Sequence, residues 1–272
     1  MPKKSNMSNP NKPFRGRAIY QPSGAAGEYS QWACNLFNGC PNRCDYCYNR
    51  HSLTSKVLGA DEVTMKSSLT DDYTANNYYL RVFAQELDAN LEAIKRDGGL
   101  FFSFVSDPLL ETTYGPNMQC MEYAVSQGVH CTVLTKSAWW TDSVTLKQSC
   151  VKMSLVRSLK DHLSLGFTLT GMEYMERHCI SNSFERIEAM TWAQKQGIYT
   201  WASIEPVIDY QMALDVIIRS LPYCSEYRIG LASKLGIKYD KESVLAFKHQ
   251  VEELIGDKAK IIWKKSVLDK IK

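Results

Sequence analysis

Three cysteines, Cys40, Cys44 and Cys47, lie close together at C-x3-C-x2-C spacing in the segment CPNRCDYC, residues 40–47. Cys34 precedes them, and no second cluster of the same density follows downstream. Three thiolates so close in sequence can wrap one side of a compact cluster without help from distant parts of the chain. Iron-sulfur clusters usually take four cysteine ligands. A set of three therefore leaves one iron open, and an open coordination position is what a catalytic metal centre needs.

Two other interpretations of the three thiols stay open at this point. Cys34 or His51 could complete a zinc site, because three cysteines and one histidine are a known zinc set. Zinc sites usually pair two C-x2-C segments, however, and the sequence contains one such segment. The three thiols could also have no ligand, although their density and the flanking Gly39 and Pro41 argue against this.

The composition predicts one globular domain outside the membrane. The chain has 272 residues, of which 44% are hydrophobic and 22% are charged. No run approaches the roughly eighteen apolar residues that span a bilayer, and the N-terminus lacks the apolar stretch of a secretory signal. We therefore expect a cytoplasmic protein without a membrane partner. Nine cysteines, an odd number at uneven spacing, favour reduced thiols or metal ligands over a disulfide framework.

The net charge of +3 arises in the N-terminal tail. The first seventeen residues carry five basic and no acidic side chains, which leaves a net charge of about −2 on the remaining chain. Because the tail is rich in Asn, Ser and Pro, we interpret residues 1–29 as a flexible basic N-terminal extension. Such a tail could contact phosphate. The charge of the remaining chain argues mildly against tight binding of duplex nucleic acid.

Beyond the tail, short β-branched or aromatic runs alternate with helical patterns. The runs predict six strands, at residues 30–36, 100–106, 129–136, 163–170, 198–206 and 226–233. Apolar residues at three- and four-residue steps predict helices between them, which end at Gly98-Gly99, Gly128 and Gly197. From the second strand on, neighbouring strands start about thirty residues apart, the length of a β-α unit. This spacing predicts a parallel sheet with right-handed crossovers.

Six β-α units are too few for a complete eight-stranded barrel. An open partial barrel or a doubly wound sheet remains, and in either architecture the ligand site lies beyond the carboxyl ends of the strands. We predict that residues 30–235 form this core. Residues 236–272 are predicted to add one helix and one strand that pack on the barrel at its open edge.

The cysteine segment resembles a known signature. CPNRCDYC matches C-x3-C-x-aromatic-C, with Tyr46 in the aromatic position, and so resembles the radical S-adenosylmethionine (SAM) enzymes over roughly residues 30–235. The resemblance implies that Cys40, Cys44 and Cys47 hold a 4Fe-4S cluster whose open iron chelates SAM. An electron from the cluster then cleaves SAM to methionine and a 5′-deoxyadenosyl radical, which removes hydrogen from the substrate. It also implies an α/β fold, a partial (β/α)6 TIM-type barrel with the cluster on the loop after the first strand.

Further motifs indicate a branch of that family. The usual Gly-Gly-Glu stretch is absent, and FFSFVSDPLLETTYG (101–115) stands in its place. With LTKS at 134–137, GFTLTG at 166–171 and Tyr48 after the last cysteine, the chain resembles spore photoproduct lyase and the DNA repair photolyase-like proteins. The lyase uses a further cysteine near the end of strand two, where this chain has FVSDP (104–108). We therefore do not expect spore photoproduct repair.

The resemblance implies cofactor contacts from the cysteine loop and from several strand ends. The residues concerned are Tyr46, Tyr48, Ser106, Asp107, Lys136, Thr168, Ala202, Ser203 and Glu205. Ser106 and Asp107 would meet the methionine moiety of SAM from strand two. Lys136, a compact point charge at the end of strand three, would pair with the methionine carboxylate. Thr168, at the end of strand four, could donate to the same carboxylate.

Strand five would contribute the remaining contacts. Ala202 and Ser203 lie where the backbone of this branch holds adenine. Glu205 stands at the mouth of the strand, and the following Pro206 is expected to end it. The Glu205 carboxylate could hydrogen-bond a ribose or a substrate, or it could cap the next helix, and both interpretations stay open.

We expect a radical SAM enzyme that acts on nucleic acid or a nucleotide derivative; the nucleic-acid part follows from the branch resemblance alone. Lyase, transferase and oxidoreductase chemistry all stay open. A peptide or small metabolite is a second substrate class, although no extra domain that would hold a peptide leader is evident. A reducing partner such as flavodoxin or ferredoxin is implied. From a different class, the alternative is a zinc-stabilised nucleic-acid-binding module without catalysis, which would use the basic tail.

Overall fold

The computed structural model describes residues 18–70, 77–141, 153–233 and 235–272. The basic residues of the N-terminal tail, residues 1–17, lie outside this described part of the chain. The described strands are β1 (Ile19–Tyr20), β2 (Ala33–Cys34), β3 (Phe37–Asn38), β4 (Thr64–Met65), β5 (Leu100–Phe102), β6 (Cys131–Thr135), β7 (Leu163–Thr168), β8 (Tyr199–Val207), β9 (Glu226–Leu231) and β10 (Lys260–Trp263). The described helices are α1 (Ser55–Leu58), α2 (Tyr78–Arg96), α3 (Glu111–Ser126), α4 (described over 153–158), α5 (Ser183–Lys195), α6 (Tyr210–Ser220), α7 (Lys241–Ile255) and α8 (Lys265–Ile271).

A mainly parallel sheet of eight strands forms the centre of the molecule, in the order β1-β2-β5-β6-β7-β8-β9-β10. Strands β2 to β10 of this sheet pair in parallel, whereas β1 pairs antiparallel with β2. β3 and β4 form a separate antiparallel pair. Among the described residues β1 and β10 do not pair with each other, so the barrel is not closed. The predicted α/β fold with an open, parallel partial barrel is confirmed.

The alternation of side chains along the strands divides the core into two parts. On β8, Ala202 and Ile204 face the helices and belong to the large outer core, while Trp201 points into the barrel. Trp201 packs there with Ala33 and Phe101. Gly166 on β7 makes room for the indole, because a Cβ at this position would lie 2.1 Å from the Trp201 ring. The two faces are thus both buried, as expected for a parallel sheet covered by helices.

Strands β2 and β5 are shorter than predicted. β2 covers only Ala33–Cys34 and β5 only Leu100–Phe102, because the chain leaves the ladder after each of them to form loops at the carboxyl edge. The backbone N–H of Phe104 donates to the Asn35 side chain at 2.9 Å, which joins these two loops. A side chain thus satisfies a backbone group that a longer strand would have paired.

Pro206 does not end β8, contrary to the prediction, since the strand continues to Val207. The register of β8 with β9 shifts between Ile204 and Val207. A proline is tolerated in a strand at such an irregularity, where its missing N–H breaks no regular ladder bond.

Residues 18–29 are ordered against the barrel, although we predicted them as part of a flexible extension. β1 pairs with β2, and the backbone N–H groups of Ala18 and Ile19 donate to the Glu86 carboxylate at 3.0 and 2.9 Å. A 3-10 turn, Gly24–Glu28, follows. Sequence patterning missed this segment because it gains its order from contacts with distant parts of the chain. The division into 1–29, 30–235 and 236–272 otherwise stays a prediction.

The C-terminal region contains the predicted helix and strand, α7 and β10, and one further helix, α8. β10 pairs in parallel with β9, so this region extends the sheet at its edge by another strand. None of the helices in the described ranges has the length and apolar character that a membrane span requires.

Candidate functional site

A cavity of about 500 Å³ opens at the carboxyl ends of the parallel strands. Each strand from β5 to β10 contributes lining residues in its carboxyl-terminal half or just after its end, among them Ser106, Lys136, Thr168, Ser203, Glu205, Leu231 and Lys264. The cysteine loop after β3 and the segment Ser23–Tyr29 supply further walls. The location is the one predicted for a ligand site in a sheet of this kind.

Cys40, Cys44 and Cys47 all border this cavity, and all three are free thiols. Gly39 allows the loop to begin as it does: its φ is +75°, and a Cβ there would lie 1.9 Å from the carbonyl oxygen of Glu62. The backbone N–H of Cys40 then donates to the Ala60 carbonyl at 2.8 Å. Three thiols that face one cavity fit a multinuclear cluster, which distributes its cysteine ligands over several irons.

The zinc site that we considered is not assembled in this structure. Cys34 lies in the outer core, where burial raises the pKa of its thiol well above the ordinary value. The His51 ring lies 2.8 Å from the backbone oxygen of Asp45, through its Nε2 atom. Within the described ranges, no three His, Cys, Asp or Glu side chains converge as a single-ion site would require. Neither Cys34 nor His51 borders the cavity that Cys40, Cys44 and Cys47 line, so completion of a zinc site by either residue stays an untested alternative.

A buried polar network holds the cysteine loop against the loop between β7 and α5. The Tyr46 hydroxyl donates to the carboxylate of Glu176, and the backbone N–H of Asp45 donates to the Met175 carbonyl at 2.9 Å. Glu176 forms an ion pair with Arg186, with 2.6 Å between nitrogen and oxygen. Although burial opposes ionisation, the Arg186 charge holds the pKa of Glu176 below its ordinary value.

Arg186 extends this network to the ends of two strands. Its guanidinium donates to the backbone carbonyls of Lys136 at 2.9 Å, Thr168 at 3.0 Å and Ser181 at 2.6 Å. Glu176 also accepts a hydrogen bond from the Thr170 hydroxyl at 3.0 Å. The network therefore fixes the cysteine loop relative to the carboxyl ends of β6 and β7, a role that the sequence did not reveal for Glu176 and Arg186.

Lys136, which directly follows β6, lines the cavity beside the cysteine loop. Its Nζ atom lies 5.4 Å from the centroid of the Tyr46 ring. Burial opposes the charge of this ammonium, but the nearby Cys44 and Glu176 outweigh it and raise the pKa of Lys136 above its ordinary value. A permanent cation at this point can hold a carboxylate, and its contact with the methionine carboxylate stays a prediction.

Ser106 and Asp107 also line the cavity, but their side chains already have protein partners. The Ser106 hydroxyl donates to the backbone carbonyl of Gly39. The Asp107 carboxylate accepts from the Thr135 hydroxyl at 2.6 Å and from the backbone N–H of Lys136 at 2.7 Å. Both residues thus hold the loops that form the cavity wall. Their predicted contact with the methionine moiety would use the hydrogen-bonding capacity that these protein partners leave free.

Further partners of Asp107 join the same wall. The Leu109 backbone N–H donates to the carboxylate at 3.0 Å, and the Asn42 side-chain amide donates to it at 3.3 Å. Since Asn42 lies between Cys40 and Cys44, Asp107 ties the cysteine loop to the segment after β5. Burial raises the pKa of the Cys40 thiol to about 12, and the Asp107 charge adds to this effect.

The other predicted cofactor contacts differ in where they face. Thr168 and Ser203 border the cavity, and the Ser203 hydroxyl lies 2.8 Å from the Tyr29 hydroxyl. The Ala202 side chain is buried in the outer core, so this residue can present only backbone atoms to the cavity side. Tyr48 lines the cavity, and its hydroxyl donates to the backbone carbonyl of Phe104.

Glu205 forms a small polar cluster in the wall of the same cavity. One of its carboxylate oxygens accepts from the Tyr29 hydroxyl at 2.6 Å and from the Lys264 ammonium at 2.8 Å. Lys264 is only 5% exposed, and its ammonium lies 4.0 Å from the centroid of the Tyr29 ring. Glu205 does not cap α6, since the side chain of Asp209 does so by accepting from the Met212 N–H at 2.9 Å. Sequence patterns did not identify Tyr29 and Lys264.

A further sulfur lies beside the cysteine loop. The Sγ atom of Cys179, between β7 and α5, is 3.5 Å from the Sγ atom of Cys44. This contact lowers the pKa of Cys44 to about 7, although burial opposes the shift; the charge of Lys136 contributes in the same direction. The two cysteines are 135 positions apart, so no local spacing in the sequence could have predicted their contact.

No protein-family model matches the chain. A search of curated proteins also finds no match. The fold is similar to that of Streptococcus suis SuiB bound to S-adenosylmethionine, with a TM-score of 0.56 and 12% sequence identity over 85% of this chain and 49% of SuiB. The chain thus spans about half the length of SuiB.

A second similar fold is that of spore photoproduct lyase complexed with dinucleoside spore photoproduct. The TM-score is 0.61, and the 12% identity extends over 90% of this chain and 80% of the lyase. SuiB and the lyase are both radical SAM enzymes. The expected resemblance to this class of enzymes is therefore confirmed at the level of the fold.

Proposed function

We propose that the chain is a radical SAM enzyme in which Cys40, Cys44 and Cys47 hold a 4Fe-4S cluster. One observation carries the proposal: three free thiols on one loop border the cavity at the carboxyl ends of the parallel strands. The folds of SuiB and spore photoproduct lyase support it. When bound, the cluster supplies the electron that reductively cleaves SAM and so gives a 5′-deoxyadenosyl radical.

The residues of the cavity have distinct tasks in this proposal. Lys136 binds the methionine carboxylate through its ammonium, and the Thr168 hydroxyl donates to the same group. Ser203 and the backbone at Ala202 border the adenosine end. The Glu205 carboxylate accepts a hydrogen bond from a hydroxyl of the ribose or of the substrate, through the lone pairs that Tyr29 and Lys264 do not use. Ser106 and Asp107 keep the methionine end of the cavity in shape through the hydrogen bonds described above.

Nucleic acid or a nucleotide derivative is the substrate class that we propose. Tyr48 at the rim of the cavity is 44% exposed, and the side chains of Arg43 and Arg50, which also line it, are 43% and 33% exposed. Exposed aromatic rings stack on bases and arginines contact phosphates. Both arginines pair with the half-exposed Asp61, and such pairs cost little to break. The dinucleoside in the structure of the lyase supports the same class.

A one-electron donor such as flavodoxin or ferredoxin completes the proposal, with the cytoplasm as its location. The deciding experiment is anaerobic purification with iron and sulfide analysis. We expect a brown protein with about four irons per chain, which releases 5′-deoxyadenosine from SAM in the presence of dithionite. Cys44→Ala should abolish both colour and cleavage, whereas Cys224→Ala, in the outer core, should retain both.

The opposite results would identify the other candidate. Colourless protein with one zinc per chain would contradict the enzyme and favour the nucleic-acid-binding module. An iron-loaded Cys44→Ala variant would contradict the assignment of the ligands. The substrate class is tested by deuterium transfer into 5′-deoxyadenosine from deuterated nucleotides or oligonucleotides, with deuterated peptides and small metabolites as the comparison.

A further inference from the structure

Cys44 and Cys179 form a sulfur pair that the proposed chemistry does not use. Their Sγ atoms are 3.5 Å apart, and the Cys179 thiol lies 3.7 Å from the backbone oxygen of Asn42. Cys179 does not line the cavity, so it approaches Cys44 from the side of the β7–α5 loop. In the proposed enzyme Cys44 is a cluster ligand, so its sulfur binds iron and is not available to Cys179.

We propose that Cys44 and Cys179 form a disulfide bond in the iron-free chain, and that this bond must be reduced before the cluster can be loaded. The blocking effect rests on the proposed function, while the bond itself does not. A disulfide needs about 2.05 Å between its sulfurs, so the two atoms must approach by about 1.5 Å. Both neighbours of Cys179, His178 and Ile180, are exposed, so a shift of this size would not displace a buried side chain at either position.

The oxidant that we propose is a small disulfide such as oxidised glutathione. Cys44 is 5% exposed and Cys179 is more accessible, so the small disulfide meets Cys179 first. The Cys179 thiol gives up its proton as its sulfur bonds to one sulfur of glutathione disulfide, and the first glutathione leaves with the electron pair of the broken S–S bond and takes up that proton. Cys44 then attacks the Cys179 sulfur of the mixed disulfide and displaces the second glutathione. Two protein thiols are oxidised to one disulfide, and one glutathione disulfide is reduced to two thiols.

Formation of this bond would exclude the cluster by simple competition. A sulfur in a disulfide has no thiolate to offer iron, so Cys40 and Cys47 alone would remain. The bond would also tie the cysteine loop to the β7–α5 loop, the two segments that Glu176 already joins. Cys179 would thus protect Cys44 from irreversible oxidation in a chain that has lost its iron, because a disulfide is reversible and the higher oxygen acids of cysteine are not.

The test uses the full-length iron-free chain, equilibrated with oxidised and reduced glutathione. Non-reducing peptide mapping by mass spectrometry should find Cys44 joined to Cys179, and dithiothreitol should reverse the bond. A bond between two of Cys40, Cys44 and Cys47, or no bond, would overturn the proposal. Mapping needs no iron, so its result stands even if reduced wild-type chain takes up no iron and the proposed function fails.

The Cys179→Ser variant distinguishes a Cys179 that protects Cys44 from a Cys179 that binds iron. After the same oxidation, this variant should incorporate iron and sulfide at least about tenfold faster than oxidised wild type, and as fast as wild type reduced beforehand. Cys224→Ser should behave as wild type does. Equal loading of the oxidised wild-type and Cys179→Ser chains would contradict the block. Failure of the reduced Cys179→Ser chain to hold iron, while reduced wild type does so, would make Cys179 a ligand and overturn the proposal.

Discussion

Glu176 and Arg186 form an ion pair inside the protein, with both side chains fully buried. The pair lies between the cysteine loop, which contacts it through Tyr46, and the ends of β6 and β7, which contact it through backbone carbonyls. Every nitrogen of the guanidinium donates to an oxygen. The pair therefore positions the candidate cluster ligands, and its loss should affect stability and cluster content together.

Replacing the arginine tests this relationship. Arg186→Met leaves the Glu176 charge buried without its partner, which should lower the free energy of unfolding by about 3–5 kcal/mol. The measurement is urea denaturation of the iron-free chain, with exposed Arg219→Met as the control that should change stability by less than about 0.5 kcal/mol. A loss for Arg186→Met as small as that of the control would contradict the role of the pair.

Gly39→Ala should weaken binding of the cluster and leave the fold in place. The new Cβ would lie 1.9 Å from the Glu62 carbonyl oxygen, at a φ of +75°. The start of the cysteine loop must then move, so iron bound after anaerobic reconstitution should fall severalfold. Gly197→Ala is the matched control: its φ is +79°, but its Cβ would meet no atom within 4 Å. This control should lose about 1 kcal/mol of stability from backbone strain alone and retain its iron.

Lys136→Met should weaken SAM binding by about 10- to 100-fold, since a hydrogen bond to a charged group contributes about 1.5–3 kcal/mol. The measurement is equilibrium dialysis of SAM against anaerobically reconstituted protein. Lys160→Met, in an exposed position, serves as the control. Lys136→Arg should restore only part of the affinity, because a planar guanidinium does not fit where a compact ammonium stood. Unchanged affinity in Lys136→Met would exclude the predicted contact.

Lys264→Met should loosen the segment Ser23–Tyr29. The Lys264 ammonium contacts the Glu205 carboxylate, the Tyr29 ring and the Ala25 carbonyl oxygen, the last at 3.4 Å. If the free energy of local opening falls by about 1.4 kcal/mol, the rate of proteolytic cleavage rises about tenfold. The measurement is the rate at which a glutamate-specific protease cuts after Glu28. The protease should cut the control variant Lys270→Met, changed on the exposed side of α8, at the wild-type rate. Cleavage of Lys264→Met at the wild-type rate would contradict the prediction.

Glu226 should make a contribution to the free energy of unfolding that depends on pH. It is buried beside Arg228 and Lys260, at 2.7 and 3.0 Å. Burial opposes its charge, but the two cations lower the pKa of Glu226 below its ordinary value. The contribution is therefore present above the unfolded pKa of about 4.3 and is lost as pH falls through the lower folded pKa.

Urea denaturation of wild type and Glu226→Gln at several pH values tests this. Glu226→Gln should be less stable by about 2 kcal/mol at pH 7, and the difference should shrink from about pH 5 downward. A difference that stays constant between pH 7 and pH 3 would show that ionisation of Glu226 plays no part.

Local patterns predicted the parts of the site that are local in sequence. Cys40, Cys44 and Cys47 lie on one loop, so their spacing alone indicated a shared ligand, whereas Lys136 was predicted from the family resemblance of LTKS at 134–137. Cys179 and Glu176 could not be predicted in this way, because each acts through a contact with the cysteine loop more than 100 positions away. Tertiary contacts of this kind leave no periodic signal in the chain.

The same limit applies to the polar cluster around Glu205. Tyr29 contacts Glu205 across 176 positions, and Lys264 stands in a region that we predicted only as a helix and a strand on the barrel. Pro206 shows the converse: a strong local rule predicted the end of β8, and pairing with β9 carried the strand past it through a shift in register.

The turn Gly24–Glu28 joins the two free margins of the sheet. It follows β1 at one margin and reaches the end of β10 at the other, where the Glu28 carboxylate accepts from the Lys265 N–H at 2.9 Å. Isolated polar contacts connect β1 and β10 in this way, whereas in a closed barrel the two edge strands would pair through a continuous ladder of hydrogen bonds. Separation of the two margins would therefore break only a few hydrogen bonds, and the contacts of Glu28 and Ala25 that span the gap involve neither the cysteine loop nor β6, which Lys136 follows.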